Sequence, residues 1–417
     1  MAQATMDGCA KNAVPRNVGV PTPAGSMATS VPSVPSFPSP SRPKSIGPQR
    51  FEFTGTGSEY FRIWIVNLLL IIATLGVYSA WAKVRRLQYF HRNTRVAGAT
   101  FDYHGDPRAI LKGRVLALGL VVAYKISYDL SPLAAAVIAA ALIAITPWFI
   151  ARSIRFRLAN TSYRGLRFQF RGRVRQAYRK LILFPISLAV IGFLLWTLAT
   201  SFFRSAGPGI FLLVVALLLL TIGATVPLAH CFLKRYQHEH ADFGQAPFSF
   251  HARAADFFSI YGKAVGFFFL GSIPAGIFAI ATAKLYELLL ATVFGWLFAL
   301  LYGLVSAYAF YLFVRPYLES NFQNLIWNNT GLGDHAFESL VSTRKLLWIH
   351  ASNLILMTLT LGLYKPFGAI RLAKYRIESV TLIPADNLEQ FWADHNIDRT
   401  TALGQETGDM FDIDIGL

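Results

Sequence analysis

Eight apolar runs, at residues 61–82, 111–128, 132–151, 181–203, 208–231, 264–283, 286–312 and 346–364, dominate this 417-residue chain. Most are close to the twenty or so residues that cross a hydrocarbon core about 30 Å thick. Six of them pair into hairpins through very short turns around Leu130, Ala206 and Leu285. The connections at 83–114, 152–180, 232–263, 315–345 and 365–376 are basic, holding 29 of the 39 Lys and Arg residues, and the positive-inside rule places them in the cytoplasm. A net charge of +17 is thereby assigned to topology and anionic headgroups, and not to nucleic acid. The expected fold is an all-α polytopic membrane protein with six transmembrane helices in three hairpins, two terminal segments that span or re-enter, and small cytoplasmic β-hairpin modules.

The flanks differ from this middle. Residues 1–50 hold nine of the twenty prolines and read as a disordered Pro/Ser-rich extension. Residues 51–380 form the membrane domain, and residues 381–417, with eight acids against Arg399, read as an acidic cytoplasmic tail.

Internal repeats organise the middle. Asn93, Thr94, Gly98, Phe101, Tyr103 and Gly105 recur at identical spacing as Asn160, Thr161, Gly165, Phe168, Phe170 and Gly172. Looser copies begin at His240 and Asn329, and an orphan Phe51-Glu52-Phe53-Thr54-Gly55 precedes the first run. Thirteen residues before the four anchors stand Ala80, Pro147, Pro227 and Pro316. Alternation of Phe101 and Tyr103 with Asp102 and His104 after a Gly-containing turn predicts short strands, packed as hairpins or as a shared sheet. A second repeat relates residues 67–89 to 353–375 with eight identities, Asn67, Thr74, Gly76 and Tyr78 answering Asn353, Thr360, Gly362 and Tyr364. Both segments are basic at each end, so each either spans or turns back near its glycine, leaving both ends cytoplasmic.

The chemistry-bearing residues are few. The candidate polar pocket comprises Asn67, Thr74, Tyr78, His350, Asn353, Thr360 and Tyr364, in which the two amides approach if the terminal segments meet; the plain alternative is helix-helix glue. His230, His238, His240 and His251 surround Cys231, but their spacing matches no zinc motif, and no metal or cofactor is expected. Without a P-loop, a nucleophile elbow or a dinucleotide fingerprint, no enzyme activity is expected either.

The stretches Phe51 to Leu70, Thr74 to Arg85, Phe101 to Pro107, Ile110 to Arg114 and Phe411 to Leu417 resemble the YjgN-like family of bacterial inner-membrane proteins. The resemblance implies a multi-pass protein of the bacterial inner membrane, whose molecular function the family does not define. It also suggests a membrane-bound zinc metallopeptidase as partner. Two functions follow as expectations: a transporter- or channel-like protein with a site between the terminal segments, or a scaffold for another membrane protein.

Overall fold

The computed structural model describes residues 47–179, 208–281 and 293–386, with scattered residues beyond them. The N-terminal extension, most of the fourth apolar run, the turns at Ala206 and Leu285 and nearly all of the acidic tail lie outside the described residues.

Four copies of one unit run through this structure. In each, a helix descends to an anchor residue, a two-stranded hairpin follows, and a helix ascends. The descending helices are α2 (Ser79–Arg92), α4 (Pro132–Ala159), α6 (Pro208–Glu239) and α8 (Val293–Asn328). Their hairpins are β3–β4 (Thr94–Val96, Ala99–Tyr103), β5–β6 (Thr161–Tyr163, Leu166–Phe170), β7–β8 (Ala241–Phe243, Ala246–Phe250) and β9–β10 (Thr330–Leu332, His335–Ser339). The ascending helices are α3 (Pro107–Leu130), α5 (Val174–Ala177), α7 (Ala254–Ala281) and α9 (Thr343–Leu359).

The motif residues explain the unit. The anchor amides of Asn93, Asn160 and Asn329 each donate to the carbonyl four residues back at 2.8 Å, closing the last helical turn where backbone acceptors would otherwise be orphaned. The following Thr94, Thr161 and Thr330 hydroxyls do the same for the next carbonyl. Gly98 and Gly165 sit at φ +76° and +82°, each after another positive-φ residue, the two-residue hairpin turn that needs glycine. Gly105 and Gly172 lie under the rings of Tyr103 and Phe170, where a Cβ would come within 2.6 and 2.4 Å of ring atoms.

A fifth copy is split between the two ends of the described chain. Helix α10 (Lys365–Glu378) leads through Ser379 to β11 (Val380–Ile383), while β1 (Gln49–Arg50), β2 (Glu52–Phe53) and α1 (Gly57–Ala73) supply the rest. One hydrogen bond proves the equivalence. The amide eleven residues after each anchor donates to the next anchor's carbonyl: His104 to Asn160, Arg171 to His240, His251 to Asn329 and Leu340 to Ser379, at 2.8–3.0 Å. Thr54 completes the series by donating to Asn93 at 2.9 Å. The position thirteen residues before each anchor is buried in all five copies, as Ala80, Pro147, Pro227, Pro316 and Pro366.

The strands form one antiparallel sheet in the order β1-β11-β10-β9-β8-β7-β6-β5-β4-β3-β2. Only Phe51 separates β1 from β2, so a single segment pairs with β11 on one side and β3 on the other, and the sheet rolls into a nearly closed barrel. This corrects the expected fold. The protein is not an all-α six-helix bundle with isolated hairpin modules, because the hairpins satisfy one another's edges in one eleven-stranded sheet. The helix count is corrected with it: among the described residues one helix, Leu133–Ala159, is long and apolar enough to cross a membrane. Hydropathy marked the runs but could not show which of them break or continue. The first and eighth stop at Ala73 and Leu359, the chain doubles back at Gly76 and Gly362 (φ +94° and +90°), and α2 and α10 follow as separate helices. The fifth and seventh run on far past their apolar parts, into α6 of 32 residues and α8 of 36.

Candidate functional site

The five copies surround a common axis, and the same strand position faces it in each. Phe51, Phe101, Phe168, Phe248 and Phe337 all belong to or pack against the barrel core. Ring centroids of Phe51 and Phe101 are 6.3 Å apart, Phe101 and Phe168 6.4 Å, Phe168 and Phe248 6.2 Å, and Phe337 and Phe51 6.5 Å. One phenylalanine per copy thus lies on the lumen side, and four of the five neighbouring pairs are within contact range for aromatic rings. Tyr163, Phe243 and Trp327 fill the gaps beside it.

On the helix side of this floor opens a cavity of about 720 Å³, whose lining includes Phe51, Phe101 and Phe168 and the inner faces of α2, α8 and α10. Leu87, Gln323 and Ala373, six residues before their anchors, share this wall, as do Phe90 and Arg376 three residues before theirs. The equivalent positions in the other copies are Ile154 and Lys234, and Arg157, Gln237 and Ile326. The wall is cationic, with Lys83, Arg86 and Arg376 lining the cavity beside His91 and, among the described residues, no carboxylate doing so. Arg376 donates through Nε to Gln323 Oε1 at 2.7 Å, a neutral partner. Away from this lining, Glu319 of α8 is engaged by Arg315 at 2.6 Å and His350 at 3.1 Å, and these two partners hold its carboxyl at about 2 against the desolvation of its site.

Lys234 stands apart. Burial and then the Arg157 guanidinium push its ammonium below the usual lysine range, and no ion pair or hydrogen bond joins it to any described residue. His238, one turn further on, is pulled down to about 4 by burial and then by Lys234, while its Nδ1 lies 3.3 Å from the Thr330 hydroxyl. His91 is lowered too, chiefly by burial. Both imidazoles are neutral at pH 7, so the fixed charge here comes from Lys and Arg.

The seven residues of the sequence-derived polar pocket go elsewhere, and none lines this cavity. Thr74 donates to Leu70 O at 2.7 Å and accepts from Tyr78 N at 3.0 Å, and Thr360 treats Leu356 and Tyr364 the same way, so each threonine ties the turn of its own hairpin. Asn353 donates to Gly368 O at 3.2 Å within the α9–α10 hairpin. Asn67 is equally buried, and the amide oxygens of both asparagines lack a hydrogen-bond partner. Tyr78 stacks on Trp81, Tyr364 on Phe367, and His350 meets Glu319. Of the module residues, Phe101 and Phe168 face the axis, whereas Tyr103 and Phe170 seal the strand ends beneath the helices. Among the described residues no group of three His, Cys, Asp or Glu could hold a metal ion.

A ring of helix-hairpin-helix copies, closed by its own ends and carrying exposed leucines at the helical tips, defines a membrane protein built around an axial cavity. The chain belongs to the bacterial family of unknown function DUF898, which it matches over residues 48–410. It is 26% identical to the inner membrane protein YjgN of Salmonella typhimurium over 342 residues, covering 78% of this chain and 85% of that one. Two Escherichia coli proteins of the same name are 32% and 31% identical over 147 residues, about a third of each chain. No solved structure matches. Sequence reasoning missed the axial cavity because its wall residues agree between copies in position but not in type.

Proposed function

We propose that the protein is a multi-pass inner-membrane conduit, channel- or transporter-like, whose path runs down the axial cavity and is closed by the phenylalanine ring. The carrying observation is that all five copies place a phenylalanine in the barrel core, and that three of these, Phe51, Phe101 and Phe168, floor a cavity walled by α2, α8 and α10. An apolar constriction of this kind excludes water and the ions that travel with it, which is how hydrophobic gates close. The barrel faces the cytoplasm in this reading, because the basic connections surround it. The exposed apolar residues of α3 and α4, such as Leu118, Val121, Leu133 and Val137, face lipid. So do the tips at Leu75 and Leu361, which are 94% and 95% exposed.

Planar-bilayer recording tests this. Phe101→Asn with Phe168→Asn wets the floor, and current above that of the wild-type protein is expected from material that elutes as one folded species. Equal, silent behaviour of both proteins would remove the conduit. The dense aromatic packing of the lumen favours a second reading, a membrane scaffold holding another membrane protein such as a metallopeptidase, and a silent double variant would hand the lead to it.

A further inference from the structure

The two related terminal hairpins, α1–α2 and α9–α10, differ in how they treat their cations. Positions 62, 66, 85 and 88 of the first correspond to 348, 352, 371 and 374 of the second. In the second hairpin the cations are satisfied internally: Arg371 donates through Nη1 to the Ser352 hydroxyl at 2.7 Å, and Lys374 pairs with Glu378 at 3.9 Å. In the first, Val66 stands where Ser352 stands and offers no acceptor, so Arg85 has, among the described residues, only the Tyr78 ring 5.8 Å from its guanidinium. Arg62 stands where Trp348 stands, and no hydrogen bond or ion pair joins it to any described residue. Both arginines line a groove of about 490 Å³ between α1 and α2, together with Arg92, Ile63 and Val66. Among the described residues no carboxylate lines it, and the acids nearby are committed: Glu59 accepts from the Tyr89 hydroxyl at 3.2 Å and Asp102 from Arg92 at 2.9 Å.

The hairpin also sets the groove's height. Arg62 stands eleven residues before the end of α1 and Arg85 six after the start of α2, about 16 and 9 Å below the turn at 1.5 Å per residue. Between the groove and the tip, Leu69, Ile72, Leu75 and Val77 are exposed apolar side chains. With that tip in a hydrocarbon half-layer about 15 Å deep, both guanidiniums emerge at headgroup level, Arg85 by snorkelling. Guanidinium forks match phosphate oxygens, and the unopposed positive charge selects a net anionic headgroup over one that brings its own ammonium. We propose that the α1–α2 groove is a binding site for one anionic phospholipid of the cytoplasmic leaflet, its phosphate held by Arg62 and Arg85 and its acyl chain starting along Ile63 and Val66. The proposal rests on the membrane placement argued above, and stands whether or not the axial cavity conducts.

Native mass spectrometry of the full-length protein, titrated in detergent with phosphatidylglycerol or with phosphatidylcholine, counts the lipids retained. The first phosphatidylglycerol is expected to bind at least tenfold tighter than phosphatidylcholine. Arg62→Gln and Arg85→Gln should each weaken that binding at least fivefold. Val66→Ser, which gives Arg85 the partner that Arg371 has, should weaken it as well, whereas Arg371→Gln should not. The first three positions are exposed, so melting temperatures should stay with the wild type. Equal affinity for the two lipids, or a preference undiminished in Arg62→Gln and Arg85→Gln, or one lost equally in Arg371→Gln, overturns the site. Binding of sn-glycerol 3-phosphate as tightly as phosphatidylglycerol marks a soluble-anion site and overturns the lipid as occupant. The placement is judged separately, with bimane on Leu75→Cys in a background where Cys9 and Cys231 are serine: nitroxide-labelled acyl chains quench it if the tip lies in lipid. Quenching without a lipid preference removes the site and leaves the placement, and absence of quenching removes the placement and the lipid with it.

Discussion

The floor and the wall of the axial cavity are built by the same five copies, yet they diverge in opposite ways. At the floor every copy keeps phenylalanine, from Phe51 to Phe337. On the wall, six residues before the anchors, the copies carry Leu87, Ile154, Lys234, Gln323 and Ala373. A floor position meets its own equivalents around the axis, so a change in one copy disturbs the contacts of two others. In three copies, at Leu87, Gln323 and Ala373, this position meets the open cavity, whereas Ile154 packs against Phe170 and Tyr236, so each copy is free to carry different chemistry. Uniformity across repeats therefore marks what holds the ring together, and divergence marks what the ring contacts.

The largest expected effect comes from attacking the floor and the seam at once. Phe51→Pro removes the ring and also the amide that donates to Val380 O at 3.0 Å. It should cost several kcal/mol, on the order of 4 to 6 from lost burial and a lost ladder bond together, and denaturant melts of the purified protein check it. Phe337→Ala spares the backbone but empties a floor position that touches Phe51 and Trp327, and about 3 kcal/mol is expected in the same melts. The wall should behave differently. Arg86→Gln, at an exposed side chain, should leave stability within about 0.5 kcal/mol. A cost there as large as at Phe337 would break the comparison.

Between these lies a pH effect on the outer side of α8. The Glu319 carboxyl is held at about 2, below the 4.5 of an unperturbed glutamate, so its contribution is present above pH about 4.5 and is lost as the pH falls through about 2. The melting temperature should fall across that window, and His350→Gln, which removes one of the two groups engaging the carboxylate, should flatten the fall. A fall of equal size in His350→Gln would show that the acid limb arises elsewhere.

The repeat itself was legible, because its caps and turns need particular residues: Asn at a helix end, Gly at positive φ, Phe on a strand. The seam was not, since Phe51-Glu52-Phe53 and Val380 to Ile383 are half-units at opposite ends and neither carries the whole spacing. The terminal likeness of 67–89 to 353–375 was visible, and Gly76 and Gly362 do turn the chain. The asparagines did not need each other to be retained, because an amide such as that of Asn353 ties its own hairpin through Gly368 O. The cationic wall left no trace in sequence, as Lys83, Arg86 and Arg376 stand at different offsets from their anchors and look like ordinary topogenic charges.

Closure of the ring by the two ends is the claim on which cavity, floor and path all depend. Arg50 and Thr381 are register partners next to the hydrogen-bonded Phe51–Val380 pair. That makes them a non-hydrogen-bonded pair of an antiparallel ladder, with Cα atoms about 4.5 Å apart and close enough for a disulfide. In a background with Cys9 and Cys231 changed to serine, Arg50→Cys with Thr381→Cys should form an intramolecular disulfide under mild oxidation in native membranes. Protease cleavage of an intervening loop should then leave the two fragments linked. Fragments that separate freely, with both thiols open to alkylation, would contradict the closed five-copy ring.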